Sequence, residues 1–168
     1  IRSLPILYAG EVIPPNIDIT VKATGHQWYW SYEYPDHGGF TFDALMLNDD
    51  EAKKAGEPRL LAVDNRIVVP VGKTVRMIIT SADVIHAWTI PAFGSKIDGV
   101  PGKLNETWFR ATREGVFYGQ CSELCGARHA FMPIAVEVVS QERFDQWVAE
   151  AKTKFAQSNG APSALADR

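Results

Sequence analysis

From residue 17 onward, apolar residues fall at every second position over short stretches. In "NIDITVKATG", Ile17, Ile19, Val21 and Ala23 alternate with polar partners. That period of two marks a strand with one buried face. "HQWYWSYEY" is a dense aromatic run of high β preference, opened by His26. "RIVVPVGKTVRMIITS" reads as two strands joined at Val71-Gly72-Lys73. "VIHAWTIP" is an apolar strand closed by Pro91, and "TWFRATREGVFYGQC" supplies two more strands around Glu114-Gly115. "MPIAVEVVS" alternates Ile134, Val136 and Val138. Many short strands punctuated by Gly and Pro predict an all-β sandwich or barrel.

Two stretches break the pattern. "LNDDEAKKAGEPRL" is polar, with Gly56 and Pro58 closing it, and reads as a surface loop with one helical turn. In "SQERFDQWVAEAKTKF", Phe144, Trp147, Val148, Ala151 and Phe155 share one face of a 3.6-residue period, with Ser140 as N-cap. This predicts a C-terminal helix. "AQSNGAPSALADR" is small and polar, so one domain over residues 1–155 and a tail over 156–168 are expected.

Composition narrows the class. With 168 residues and 46% hydrophobic content, the chain can bury a real core. A net charge of −3 argues against non-specific nucleic-acid binding. The charge is uneven: residues 1–51 hold eight acids and two bases, a net of −6. Such a face could attract a basic partner or merely solvate the surface. No apolar run reaches the roughly 18 residues that span a bilayer.

The candidate chemistry lies in "GQCSELCGARHAFMP", which holds both cysteines. Cys121, Cys125, His129 and Met132 all carry groups that bind soft metals. A disulfide between Cys121 and Cys125 would close a very small loop and restrain the unfolded chain little. Zinc on two Cys and two His is the stronger rival. Met132 favours copper, because copper sites pair His and thiolate with a weak axial thioether. Mononuclear blue-copper sites need one Cys, and this loop has two. A further ligand must come from His26, His37 or His86. His37 sits in a turn and is expected to be exposed. His86, between Ile85 and Trp88 in an apolar run, suits a buried neutral imidazole better than His26 does.

Taken together, "HQWYWSYEY", "RIVVPVGKTVRMIITSADVIHAWTIP", "IDGVPGKLN" and "YGQCSELCGARHAFMPIAVEVV" resemble the CuA domain of subunit II of haem–copper cytochrome c oxidases. The resemblance runs in order from about residue 4 to residue 148. It implies a cupredoxin-like Greek-key β-sandwich and a binuclear centre of two copper ions. It further implies Cys121 and Cys125 as shared thiolate bridges, His86 and His129 as one cap on each ion, and Met132 and the Glu123 carbonyl as weak ligands. The Glu123 side chain would meet a Mg or Mn ion only in the full complex with the catalytic subunit I.

By the same resemblance Trp28 is the entry point for electrons from cytochrome c, a partner with a ring of lysines. Trp30, Tyr29 and Tyr32 keep a core or rim reading. Glu33, Asp36, Asp43, Asp49, Asp50 and Asp83 become candidates for steering that partner. The implied function is electron transfer from cytochrome c to the haem of the catalytic subunit, on the periplasmic side of a bacterial inner membrane or its mitochondrial counterpart. The long "DDEAKKAGEP" loop and the tail past Phe155 point to a bacterial form, and the resemblance implies the aa3 type. "IRSLPILY" resembles the exit of the family's second membrane helix, so a soluble fragment that transfers electrons only is expected. Nitrous oxide reductase has a similar CuA domain, with a tryptophan where "CSELC" has Glu123. A structural-zinc binding module is the other rival, and it would be colourless.

Overall fold

The computed structural model describes residues 3–156. Its strands are β1 (Ile19–His26), β2 (Tyr29–Tyr34), β3 (Phe40–Ala44), β4 (Ile67–Pro70), β5 (Thr74–Ser81), β6 (His86–Ile90), β7 (Ser95–Gly99), β8 (Asn105–Arg110), β9 (Gly115–Gln120) and β10 (Pro133–Val139). Helices α1 (Leu4–Glu11), α2 (Asp49–Ala55) and α3 (Gln141–Ala156) complete the described residues. The tail expected over 156–168 lies outside them except for Ala156, which is the last residue of α3. No described helix is long and apolar enough to cross a membrane.

Five strands form one sheet in the order β3-β2-β1-β5-β8. A second sheet runs β4-β10-β9, and β6 pairs with β7 in a ribbon. β1 lies parallel to β5 and β10 parallel to β4, while the other pairs are antiparallel. The Val71-Gly72-Lys73 turn is therefore a corner between layers and not a hairpin: β4 enters one sheet and β5 the other. Gly72 takes a φ of 76° there, and its N–H donates to the Ala111 carbonyl.

The core lies between the layers. Val21, Ala23, Trp30, Met77 and Ile79 meet Ile67, Val69, Ile134 and Val136, all fully or almost fully buried. The period-two reading of β1 and β2 holds, with outward residues half-exposed. β4 is buried at every position because α3 packs on its outer face. That helix runs as the periodicity predicts: Phe144, Val148, Ala151 and Phe155 face inward, and Ser140 Oγ accepts the Arg143 N–H. The Phe155 ring stacks on Phe42 at 4.8 Å between centroids. Burying a ring of that size contributes about 2–3 kcal/mol.

The structure differs from the pattern in five places. The polar 47–60 stretch holds a seven-residue helix, α2, because Asn48 and Glu51 form a reciprocal capping box and Gly56 ends it at φ 68°. Only Ala52 of that helix is buried, so no periodic face announced it. His26 closes β1 and does not open the aromatic strand; Gln27 and Trp28 form the turn before β2. "VIHAWTIP" enters its strand only at His86, leaving Val84 and Ile85 exposed. His37 is half-buried with its ring edge-on to Phe144. Strands β3 and β7 had no signal, β7 being mostly polar and bound only to β6.

An ionic knot pins the loop after α2. Glu57 accepts hydrogen bonds from the Tyr118 hydroxyl and from Arg66, which also reaches Glu137 at 3.3 Å. The Tyr118 bond first, and then Arg66, outweigh burial and hold the Glu57 carboxyl below its ordinary 4.5. A depressed folded value stabilises the fold above the unfolded pKa and ceases to do so as pH falls through the folded one. Thermal melts should show Glu57→Gln less stable than the parent at pH 7, with the gap closing below about pH 4. Equal melting curves at pH 7 would remove the knot from the account.

Candidate metal centre

Three parts of the fold converge at one end of the sandwich. β6 brings His86 at its first residue. β9 delivers Cys121 one residue past its end, and the loop from there to β10 carries Glu123, Cys125, His129 and Met132. The loop is pinned at its base, since Cys121 N–H donates to Met132 O at 3.3 Å and Ser122 N–H to Ala87 O at 3.0 Å. A short 3₁₀ turn, His129–Phe131, aims the His129 ring inward.

The six predicted ligand groups come together. The two sulfurs lie 3.8 Å apart, both as free buried thiols. His86 Nδ1 is 3.8 Å from Cys121 Sγ, and His129 Nδ1 is 3.5 Å from Cys125 Sγ. Met132 Sδ is 3.5 Å from Cys125 Sγ, and the Glu123 carbonyl oxygen is 3.4 Å from Cys121 Sγ. The ligand atoms of His86, Cys121 and Cys125 all fall within 4.8 Å of one another. Each sulfur thus has one imidazole and one weak donor beside it.

Burial and hydrogen bonding divide the thiols. Burial works against a Cys121 thiolate, but His86, the backbone at Glu123 and Ala87, and His129 outweigh it and hold the group below the ordinary thiol value. Burial, then the Cys121 charge, pushes the Cys125 thiol up. A bound cation would draw the proton from either thiol.

Further residues hold these ligands. Asp83 Oδ1 lies 2.8 Å from His86 Nε2. An ionised carboxylate only accepts, so Nε2 carries a proton and Nδ1 is the ring nitrogen that faces the sulfurs. Burial opposes protonation of His86, yet Cys121 and Asp83 raise its pKa above the usual value. Gly25 leaves room for the ring: a Cβ there would lie 2.7 Å from His86 Cδ2. Trp30 meets the same ring edge-on at 5.8 Å.

Trp28 is half-buried in its turn, and its Nε1 donates to Cys125 O at 3.2 Å. Trp30 and Tyr32 are core, and Tyr29 stacks on His26 at the rim. His26 itself stays outside the ligand cluster and hydrogen-bonds to Ser31.

The six predicted docking acids do not form one patch. Asp43 and Asp83 act together on His26 and Tyr29, beside Trp28. Glu33 pairs with Lys22 further along β2, and Asp36 accepts the Thr20 N–H beyond the strand's far end. Asp49, which pairs with Arg59, and Asp50 lie in the first turn of α2. The orienting role of Asp83 was missed, although an acid three residues before His86 was its signal. Gln27, which donates to Cys125 O, carried no signal at all.

The donor set fits copper. Two thiolates, two imidazoles and a thioether are soft or borderline ligands, and the buried Met132 sulfur has no role in a zinc site. Fold and site together define a cupredoxin-like domain with a two-sulfur cluster of groups that could hold a metal. Its residues 19–139 match the family model described as the periplasmic domain of cytochrome c oxidase subunit II, and the chain belongs to that family. It is 55% identical over 166 residues to a probable cytochrome c oxidase subunit 2 of Rickettsia bellii, covering 99% of this chain and 60% of that protein. The chain thus spans just over half the length of such relatives. Among solved structures, it resembles the periplasmic domain of subunit II of cytochrome oxidase (CoxB) of Bradyrhizobium japonicum. That match has 59% identity and a TM-score of 0.80, and covers 86% of this chain and 99% of the other. A second match, at 59% identity and a TM-score of 0.74, is subunit II in a mixed-disulfide intermediate with a thioredoxin-like protein; it covers 86% of this chain and 98% of the other.

Proposed function

We propose that this domain receives electrons from cytochrome c and passes them to the catalytic subunit I of a cytochrome c oxidase, on the periplasmic face of a bacterial inner membrane. The observation that carries the reading is the pair of sulfurs 3.8 Å apart, each with its own imidazole. Cys121 and Cys125 would bridge two copper ions, His86 and His129 would cap them, and Met132 and Glu123 O would be the weak ligands. A bound copper pair of this kind supplies a single redox unit whose electron is shared by both ions.

The chain's own residues do the rest. The pinned loop and the Asp83-held imidazole fix the donors in advance, so little has to move when charge changes. Burial of both sulfurs and Met132 keeps water from the ligands. Trp28, joined by one hydrogen bond to the peptide that follows Cys125 Sγ, offers the short route from the surface. The exposed Glu123 side chain is left to meet a Mg or Mn ion in the full complex. The mixed disulfide of the similar subunit II supports a thiol reductant as a second partner, one that keeps Cys121 and Cys125 reduced before copper enters.

Steering and transfer should separate in a salt series. Asp49→Asn with Asp50→Asn should slow bimolecular reduction by cytochrome c at low salt and flatten its ionic-strength dependence. Trp28→Gln leaves the charge unchanged and Gln27 still holding Cys125 O. It should keep the copper spectrum and the salt dependence while slowing transfer inside the complex. Stopped-flow reduction checks both. Normal transfer in Trp28→Gln would remove it as the entry point.

A further inference from the structure

One residue outside the ligand set touches both walls of the centre. Gln27 N–H donates to Asp83 Oδ2 at 2.7 Å, and the other oxygen of that carboxylate holds His86 Nε2 at 2.8 Å. The Gln27 side-chain Nε2 donates to Cys125 O at 2.8 Å. Gln27 thus links the strand that carries His86 to the loop that carries Cys125, His129 and Met132.

The neighbouring geometry is built around this link. Cys125 O accepts twice, from Gln27 Nε2 and from Trp28 Nε1. The following residue, Gly126, has φ 119°, and a Cβ there would lie 3.0 Å from Gln27 Nε2 and 3.1 Å from Trp28 Cζ2. Both side chains therefore pack closely against the Cys125–Gly126 segment. Gln27 is itself exposed, so burial does not explain its placement. Partners that orient metal ligands are worth about 10- to 100-fold in metal affinity.

We propose that Gln27 is a positioning residue for the metal centre, a brace that sets the His86 wall and the Cys125 wall relative to each other. It acts through Asp83 on one side and through the Cys125 carbonyl on the other. The proposal rests on the copper reading for its functional meaning, but its geometry is independent of which metal binds.

Gln27→Met keeps the length and the main-chain N–H and loses the amide donor. Gln27→Glu keeps the shape and turns an oxygen toward the carbonyl. Two readouts apply. In the reduced metal-free protein, the reaction of the buried thiols with a small disulfide reagent should quicken several-fold in both variants. In the copper-loaded protein, release to a chelator should quicken about tenfold, with altered copper hyperfine splitting in the EPR spectrum and two copper ions retained. The metal-free melting temperature should stay close to the parent's, since an exposed residue loses a single side-chain hydrogen bond.

Parent-like thiol reactivity and copper release in both variants would overturn the proposal. So would a fall in metal-free stability large enough to account for the faster reactions. If the parent takes up no copper, the function proposed above fails, and thiol reactivity still decides the role of Gln27.

Discussion

Cys121→Ser is expected to abolish the paired centre while leaving the sandwich folded. The sulfur sits at the middle of the cluster, 3.8 Å from both His86 Nδ1 and Cys125 Sγ. It is the thiol that His86 and the backbone hold below its ordinary value against the cost of burial. A serine hydroxyl is close in shape but stays protonated at any ordinary pH and is a hard donor. It can hydrogen-bond to the imidazole and cannot bridge two soft cations. The variant should bind at most one copper per chain, on Cys125, His129 and Met132, with a changed visible spectrum. Electron uptake from cytochrome c should fall by orders of magnitude. Its melting curve without metal should stay near the parent's, because the loop is pinned by main-chain bonds that the change does not touch. Metal analysis with circular dichroism checks both halves. Two copper ions and a parent-like spectrum would show that Cys121 is no bridge.

Gly119→Ala is expected to have the larger effect on the fold itself. A Cβ at Gly119 would lie 1.7 Å from the Thr89 carbonyl oxygen and 2.8 Å from its carbon. These are main-chain atoms of β6, which cannot swing aside as a side chain can. The strands β6 and β9 must separate; β6 begins with His86, and β9 leads directly into Cys121. Overpacking typically costs about 1–3 kcal/mol, and a clash with fixed main chain lies at the upper end or beyond. The variant should melt many degrees lower and take up copper poorly. Gly10→Ala is the control, because nothing lies within 4 Å of that position. Equal melting temperatures for Gly119→Ala and the parent would mean that the two strands are not held at this spacing.

The same two sites show what the sequence could reveal. Cys121, Cys125, His129 and Met132 lie on one short loop, so spacing and donor chemistry alone make them candidates. His86 was legible because an imidazole inside an apolar run has few uses. The alternation in β1, β2 and β10, and the periodic face of α3, come from single buried faces and read directly. What escaped depends on contacts distant along the chain. The need for glycine at 119 arises from Thr89, thirty positions earlier, and the need at 25 from His86. Gln27 acts through Asp83 and Cys125, and nothing local marks it. α2 is held by a cap and not by a buried stripe, so it read as a loop. The acids looked like one set by count, but only the fold separates Asp43 and Asp83, beside Trp28, from Asp36 at the far end of β2.

Metal content together with the EPR spectrum of the oxidised protein tests the central claim most directly. Two copper ions per chain, with one unpaired electron coupled equally to both copper nuclei, is the predicted result. A single copper with the spectrum of an isolated ion, or zinc with no signal, would contradict it.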